Sequence, residues 1–173
     1  MSADALSDVL KTVRLTGATF FSCSARAPWV AESPPRDMIL PKILPGAGHL
    51  IAYHVVTRGS CYANMIDDEP FEVHAGEVIV FTKGDAHVLS SRPGMRADPV
   101  SSAELDAATG KQLPFFLNYG GSGATSAEFV CGFLACDAAP FNPLLDNLPP
   151  ILKVKGGLDD ASSWLGQFTS GLS

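Results

Sequence analysis

Gly76-Glu77-Val78-Ile79-Val80-Phe81-Thr82-Lys83-Gly84-Asp85-Ala86-His87 is the stretch on which the fold turns. Gly76 lets the chain turn, and residues 77–81 are apolar enough for a strand buried on both faces. Gly84 permits a tight turn, and His87 then begins a new strand aimed at the interior. Outward from it, residues 49–58, 60–65, 71–73 and 87–91 carry the same strand composition. They are punctuated by Gly59, Asp67-Asp68-Glu69, Gly76 and Gly84. Short strands with turn signals every 8–12 residues or so predict a barrel or sandwich.

The flanks add to this centre. Leu6, Val9, Leu10 and Val13 stand at helical spacing, predicting an amphipathic helix over residues 4–14. Residues 16–27 predict a strand. Pro28, Pro34, Pro35, Pro41 and Pro45 then predict an irregular arm as far as Gly46. A polar stretch from Arg92 to Gln112 predicts a loop with one helical turn at 103–108. Strands are expected at 115–119 and 127–135 around Gly120-Gly121-Ser122-Gly123. A brief helix at 141–148, a strand at 151–154 and a last helix at 159–170 bearing Trp164, Leu165 and Phe168 complete the pattern. No repeat divides the chain, so residues 1–173 are expected to form one domain.

Composition narrows the class. The chain is 46% hydrophobic and only 17% charged, enough for a core and low for an ordinary soluble surface, so a partner is expected to cover part of it. Twelve basic against 18 acidic residues leave a net charge of −6, with no basic cluster. Direct nucleic-acid binding by this chain is therefore not expected. No apolar run reaches the length of a membrane span, and acids precede the apolar residues of the amino terminus; neither export nor anchoring is expected. Cys23, Cys61, Cys131 and Cys136 include no C-x-x-C pair, and reduced thiols in a cytoplasm are expected.

The opening stretch resembles the second cupin motif, with Thr82 where proline is usual. Of the first cupin motif, only His49, His54 and Gly59 remain. A wider series is similar to the amino-terminal cupin sensor domain of AraC-type transcription regulators. It comprises residues 4–10, Val13-Arg14-Leu15-Thr16-Gly17, Ala27-Pro28-Trp29, Tyr53-His54-Val55-Val56, Gly59-Ser60-Cys61 and Gly84 to Leu89. Residues 130–137, Phe141-Asn142-Pro143-Leu144-Leu145 and Leu148-Pro149-Pro150 extend it over nearly the whole chain. The resemblance implies a mainly β, cupin-type double-stranded β-helix, a jelly-roll barrel with short helices at its two ends. It also implies response to a small-molecule effector, pairing into a homodimer, and a helix-turn-helix domain beyond the barrel. The helix at 159–170 would begin the linker to that domain, through which alone DNA would be bound.

The site residues follow from strand phase. Ala52, His54 and Val56 share one face, and His87 begins another strand, so both histidines can point inward. Zinc or another divalent metal would accept His54, His87 and Cys131; the alternative is core histidines bonded to backbone and buried inert thiols. Cys131 and Cys136 should face opposite sides unless a bulge at Gly132 intervenes. Tyr53, His54, Tyr62, Phe81, His87, Tyr119 and Phe133 are the candidate pocket lining, with plain core as the alternative for the aromatics. His49 and His74 are expected at the surface or in turns, and Asp85 to hold its turn. Three functions stay open: an effector-sensing and dimerisation domain with no catalytic residue, a metal-dependent cupin oxygenase or isomerase, and a freestanding domain that modulates full-length regulators.

Overall fold

A computed structural model describes residues 15–43, 45–98, 115–136 and 147–155. Their elements are β1 (Leu15–Arg26), β2 (Val30–Ser33), α1 (Arg36–Ile43), β3 (His49–Met65) and β4 (Phe71–His74). They continue with β5 (Glu77–Phe81), β6 (His87–Ser90), β7 (Phe115–Gly120), β8 (Thr125–Cys136) and β9 (Ile151–Lys155). Strands dominate and curl into part of a barrel, the mainly β, jelly-roll architecture expected from the sequence. The helices expected at 4–14 and 159–170 and the turn at 103–108 lie outside the described residues, as does the helix expected at 141–148 but for its last two residues.

β3 is the hub. Its first part, 49–59, lies between β8 and β5, while residues 60–65 lie between β4 and β6. One 17-residue strand therefore crosses from one side of the barrel to the other. The sequence predicts a break at Gly59; the structure instead has one strand with an irregularity between Val56 and Arg58 in its pairing with β8. Gly59 adopts φ 72°, and a Cβ there would overlap the Ser126 carbonyl, so glycine lets the strand bend against β8 without ending. β1 completes this side, antiparallel to β8 and parallel to β7.

The bend also changes strand phase. Ala52 and Val56 belong to the interior cluster before it, Cys61 and Ala63 after it, so the inward set switches from even to odd numbers. The same core holds Phe21, Cys23 and Ala25 of β1, Ile79 and Phe81 of β5, and Ala127 and Phe129 of β8. On the opposite face Val55, Val78 and Val130 form a second buried cluster with Tyr53 and Val80. That is why β5 reads as a continuous apolar run rather than an alternation.

The proline-rich arm is more ordered than its composition predicts. Val30–Ser33 contains no proline and pairs with β6, an interaction set by tertiary contact that local punctuation does not reveal. Helix α1 follows Pro35 and contains Pro41. In so short a helix the missing N–H removes a single intrahelical bond. Buried Ile39 and the Arg36 amide, which donates to the Gly84 carbonyl at 2.8 Å, anchor the helix to the barrel.

Candidate functional site

His54 and His87 meet in the barrel interior with their Nε2 atoms 2.8 Å apart. Their protons follow from the neighbours. His87 Nδ1 lies 2.8 Å from the Asp85 carbonyl, which only accepts, so Nδ1 carries the proton and Nε2 keeps a lone pair. His54 Nε2 must then donate to His87, which leaves His54 Nδ1 as a bare acceptor. It is the one buried side-chain nitrogen or oxygen without a hydrogen-bond partner among the described residues. Burial pushes both imidazoles below their usual range, His87 to about 4 and His54 further helped by the neighbouring ring; both are neutral at pH 7.

Aromatic rings enclose this pair. Phe81 stacks on His87 with ring centres 3.8 Å apart, and the edge of His54 meets Phe81 at 5.8 Å and Phe129 at 6.5 Å. Phe129 stacks in turn on Trp29 and Tyr119. Phe133 meets Phe21 edge-on from the same interior. The structure thus brings His54, Phe81, His87, Tyr119 and Phe133 to one interior, and adds Trp29 and Phe129. Tyr53 lies on the opposite face with Val55 and Val80, and Tyr62 alternates with the inward Cys61 and Ala63. Trp29 is legible only as an apolar residue in sequence, yet its Nε1 donates to Ser126 Oγ at 3.0 Å and ties the arm across the barrel.

The motif turn is held more firmly than its glycine alone would allow. Thr82, standing where the motif usually has proline, donates its amide to the Pro150 carbonyl at 3.0 Å and its hydroxyl to Pro149 at 2.8 Å. Proline could make neither bond, so the substitution fastens β9 to the turn that positions His87. His49 Nε2 donates to the Thr82 carbonyl at 2.7 Å, and His74 lies exposed beside Glu72. On the arm, buried Glu32 receives both nitrogens of an Arg96 fork at 2.8 Å, and that pairing holds its carboxyl below the usual range.

Cys131 sits directly across from His54 in the β3–β8 register, but its sulfur contacts Cys23 Sγ at 3.6 Å. No group of three or more His, Cys, Asp or Glu converges as a metal set among the described residues. Two imidazole nitrogens on a tetrahedral zinc would stand about 3.4 Å apart; here they are closer and share a proton. The described residues therefore fit a hydrogen-bonded pair and do not fit a three-ligand metal site. A groove of about 500 Å³ along β1, β7 and β8 is lined by Ser22, Ser24, Asn118 and Glu128 together with Cys23 and Phe129 of the interior cluster.

A family model described as Cupin matches residues 4–172. The chain belongs to the cupin family. Among solved structures, this cupin is similar to ToxT from Vibrio cholerae O395, at 7% identity and TM-score 0.40, over 90% of this chain and 45% of that one. It is also similar to the protein YhaK from Escherichia coli, at 14% and 0.37, over 83% and 46%. A third is unsaturated fatty acid bound ToxT from Vibrio cholerae strain SCE256, at 10% and 0.38, over 89% and 45%. The cupin spans less than half the length of each of these chains. No curated protein matches it. Among the described residues no helix is long and apolar enough to cross a membrane.

Proposed function

We propose that this cupin is the effector-sensing domain of an AraC-type regulator, formed by residues 1–173 as one unit. Its interior would receive a small, largely apolar molecule, and it would pair with a second copy. DNA would be reached through an attached helix-turn-helix domain, in a cytoplasm. The family assignment and the ordered sequence segments support the class of protein. The observation that carries the ligand reading is the bare His54 Nδ1, a buried acceptor walled by Phe81 and Phe129. A buried polar atom without a partner is costly, and a ligand N–H or O–H would remove that cost. The effector is therefore an apolar molecule with one hydrogen-bond donor, contacting His54, Phe81, His87, Tyr119 and Phe133.

The test is a thermal-shift titration of small phenols, aliphatic alcohols and carboxylic acids against the unaltered chain and His54→Leu. A ligand is expected to raise the melting temperature saturably and to bind about tenfold more weakly to the variant, the worth of one hydrogen bond to a buried acceptor. Absence of any shift would count against the sensing reading. One equivalent of zinc or iron in untagged protein, lost in both His54→Ala and His87→Ala, would point to a metal-dependent cupin enzyme instead.

A further inference from the structure

We propose that Cys23 and Cys131 form a dithiol that chelates a soft thiophilic centre needing only two protein sulfurs, of the class of monosubstituted trivalent arsenicals. The sulfurs lie 3.6 Å apart on the adjacent strands β1 and β8. In the register, Cys23 faces Phe129 and Phe21 faces Cys131, so the cysteines are diagonal neighbours. Diagonal positions place the Cα atoms about 7–8 Å apart, beyond the range of about 4.4–6.8 Å that a disulfide spans without backbone movement. Two sulfurs bound at about 2.3 Å to one pyramidal trivalent atom, with about 100° between the bonds, stand about 3.5 Å apart, close to the 3.6 Å observed. On that typical spacing the thiols would need backbone movement to join each other, while their 3.6 Å separation suits sharing a third atom.

The surroundings narrow the occupant. Ions such as zinc want three or four protein donors, and no such group converges among the described residues. The hydrogen bond with the Cys131 thiol, and burial after it, keep Cys23 protonated, which handicaps any cation that must expel two protons. An arsenous group R–As(OH)2 reacts differently. Two As–O bonds break and two As–S bonds form, the two thiol protons leave on the departing oxygens as two waters, and arsenic keeps its oxidation state. Half-buried Cys131 gives the reagent its point of entry, and Cys23 closes the chelate. Chelation would lock β1 to β8 opposite His54. This inference goes beyond the sensing proposal and does not require it, since it is read on the chain itself.

The experiment is mass spectrometry of the folded chain, residues 1–173, treated with one equivalent of phenylarsine oxide. A single phenylarsenic addition less two hydrogens is expected, bridging the peptides that contain Cys23 and Cys131. Maleimide labelling should show these two thiols blocked and Cys61 and Cys136 still reactive on denaturation. Cys23→Ala and Cys131→Ala should each lose the adduct at one equivalent, and Cys61→Ala should keep it. The peptide map of the unaltered chain decides the matter even if a variant misfolds. An adduct on other cysteines, no adduct, or an adduct retained by Cys131→Ala would overturn the proposal. Recovery of a Cys23–Cys131 disulfide from the folded chain after diamide treatment would overturn it too, by refuting the spacing on which it stands.

Discussion

Acid should destabilise this cupin through its histidine pair before its carboxylates titrate. An unfolded imidazole takes up a proton near pH 6.5, whereas buried His87 resists until about pH 4 and His54 is also held well below 6.5. Between those limits the unfolded chain binds more protons, so stability is complete above pH 6.5 and falls as the pH drops toward 4. For His87 the full difference amounts to about 3 kcal/mol, of which about 2 kcal/mol is lost by pH 5; His54 adds to it. The carboxyls of Glu32 and Glu77 are lowered from 4.5, so their contribution is lost only at more acid pH. The measurement is urea unfolding at several pH values from 7.5 to 5, on the unaltered chain and on His87→Gln. The slope should be steep in the former and markedly shallower in the variant. Equal slopes, or NMR titration of either imidazole above pH 6, would refute the reasoning that burial holds the pair neutral.

Two further substitutions probe the supports of that pair. Thr82→Pro restores the usual motif residue but removes the bonds to Pro149 and Pro150, and is expected to cost about 2–4 kcal/mol in urea unfolding, with Thr82→Val costing about half. Hydrogen exchange should show β9 loosened first. Gly84→Ala places a Cβ 3.0 Å from both the Leu50 carbonyl oxygen and Arg36 Cβ at φ 63°, and should lower stability by about 1–3 kcal/mol with its largest effect on exchange in α1.

The elements legible in the sequence are those written in local pattern. The run from Glu77 to Phe81, the glycine turn at Gly84 and the inward His87 are local, and the structure has each of them. The arm was not legible, because among the described strands β2 pairs only with β6, 54–60 residues away, while its prolines argue against regularity. Tyr62 depends on the bend near Gly59, whose change of phase requires knowing that the strand continues past the glycine, whereas Tyr53 lies before the bend and alternation with His54 already sets it on the opposite face. His54 and His87 could be placed on inward faces, but the shared proton and the bare Nδ1 depend on a carbonyl two residues from His87. The meeting of Cys23 with Cys131 is a diagonal contact between strands, and nothing in the spacing of either cysteine announces it.

β1 has only β7 and β8 for partners among the described strands, and Cys23 is 108 residues from Cys131. At about 5–20 residues per second, a ribosome needs about 5–20 s to make that interval. Until β7 is made, and β8 after it, Phe21, Cys23 and Ala25 form an apolar edge with no ladder to join. Of the described strands β1 is therefore made first and paired late, and until then its unpaired backbone is open to whatever binds exposed strands.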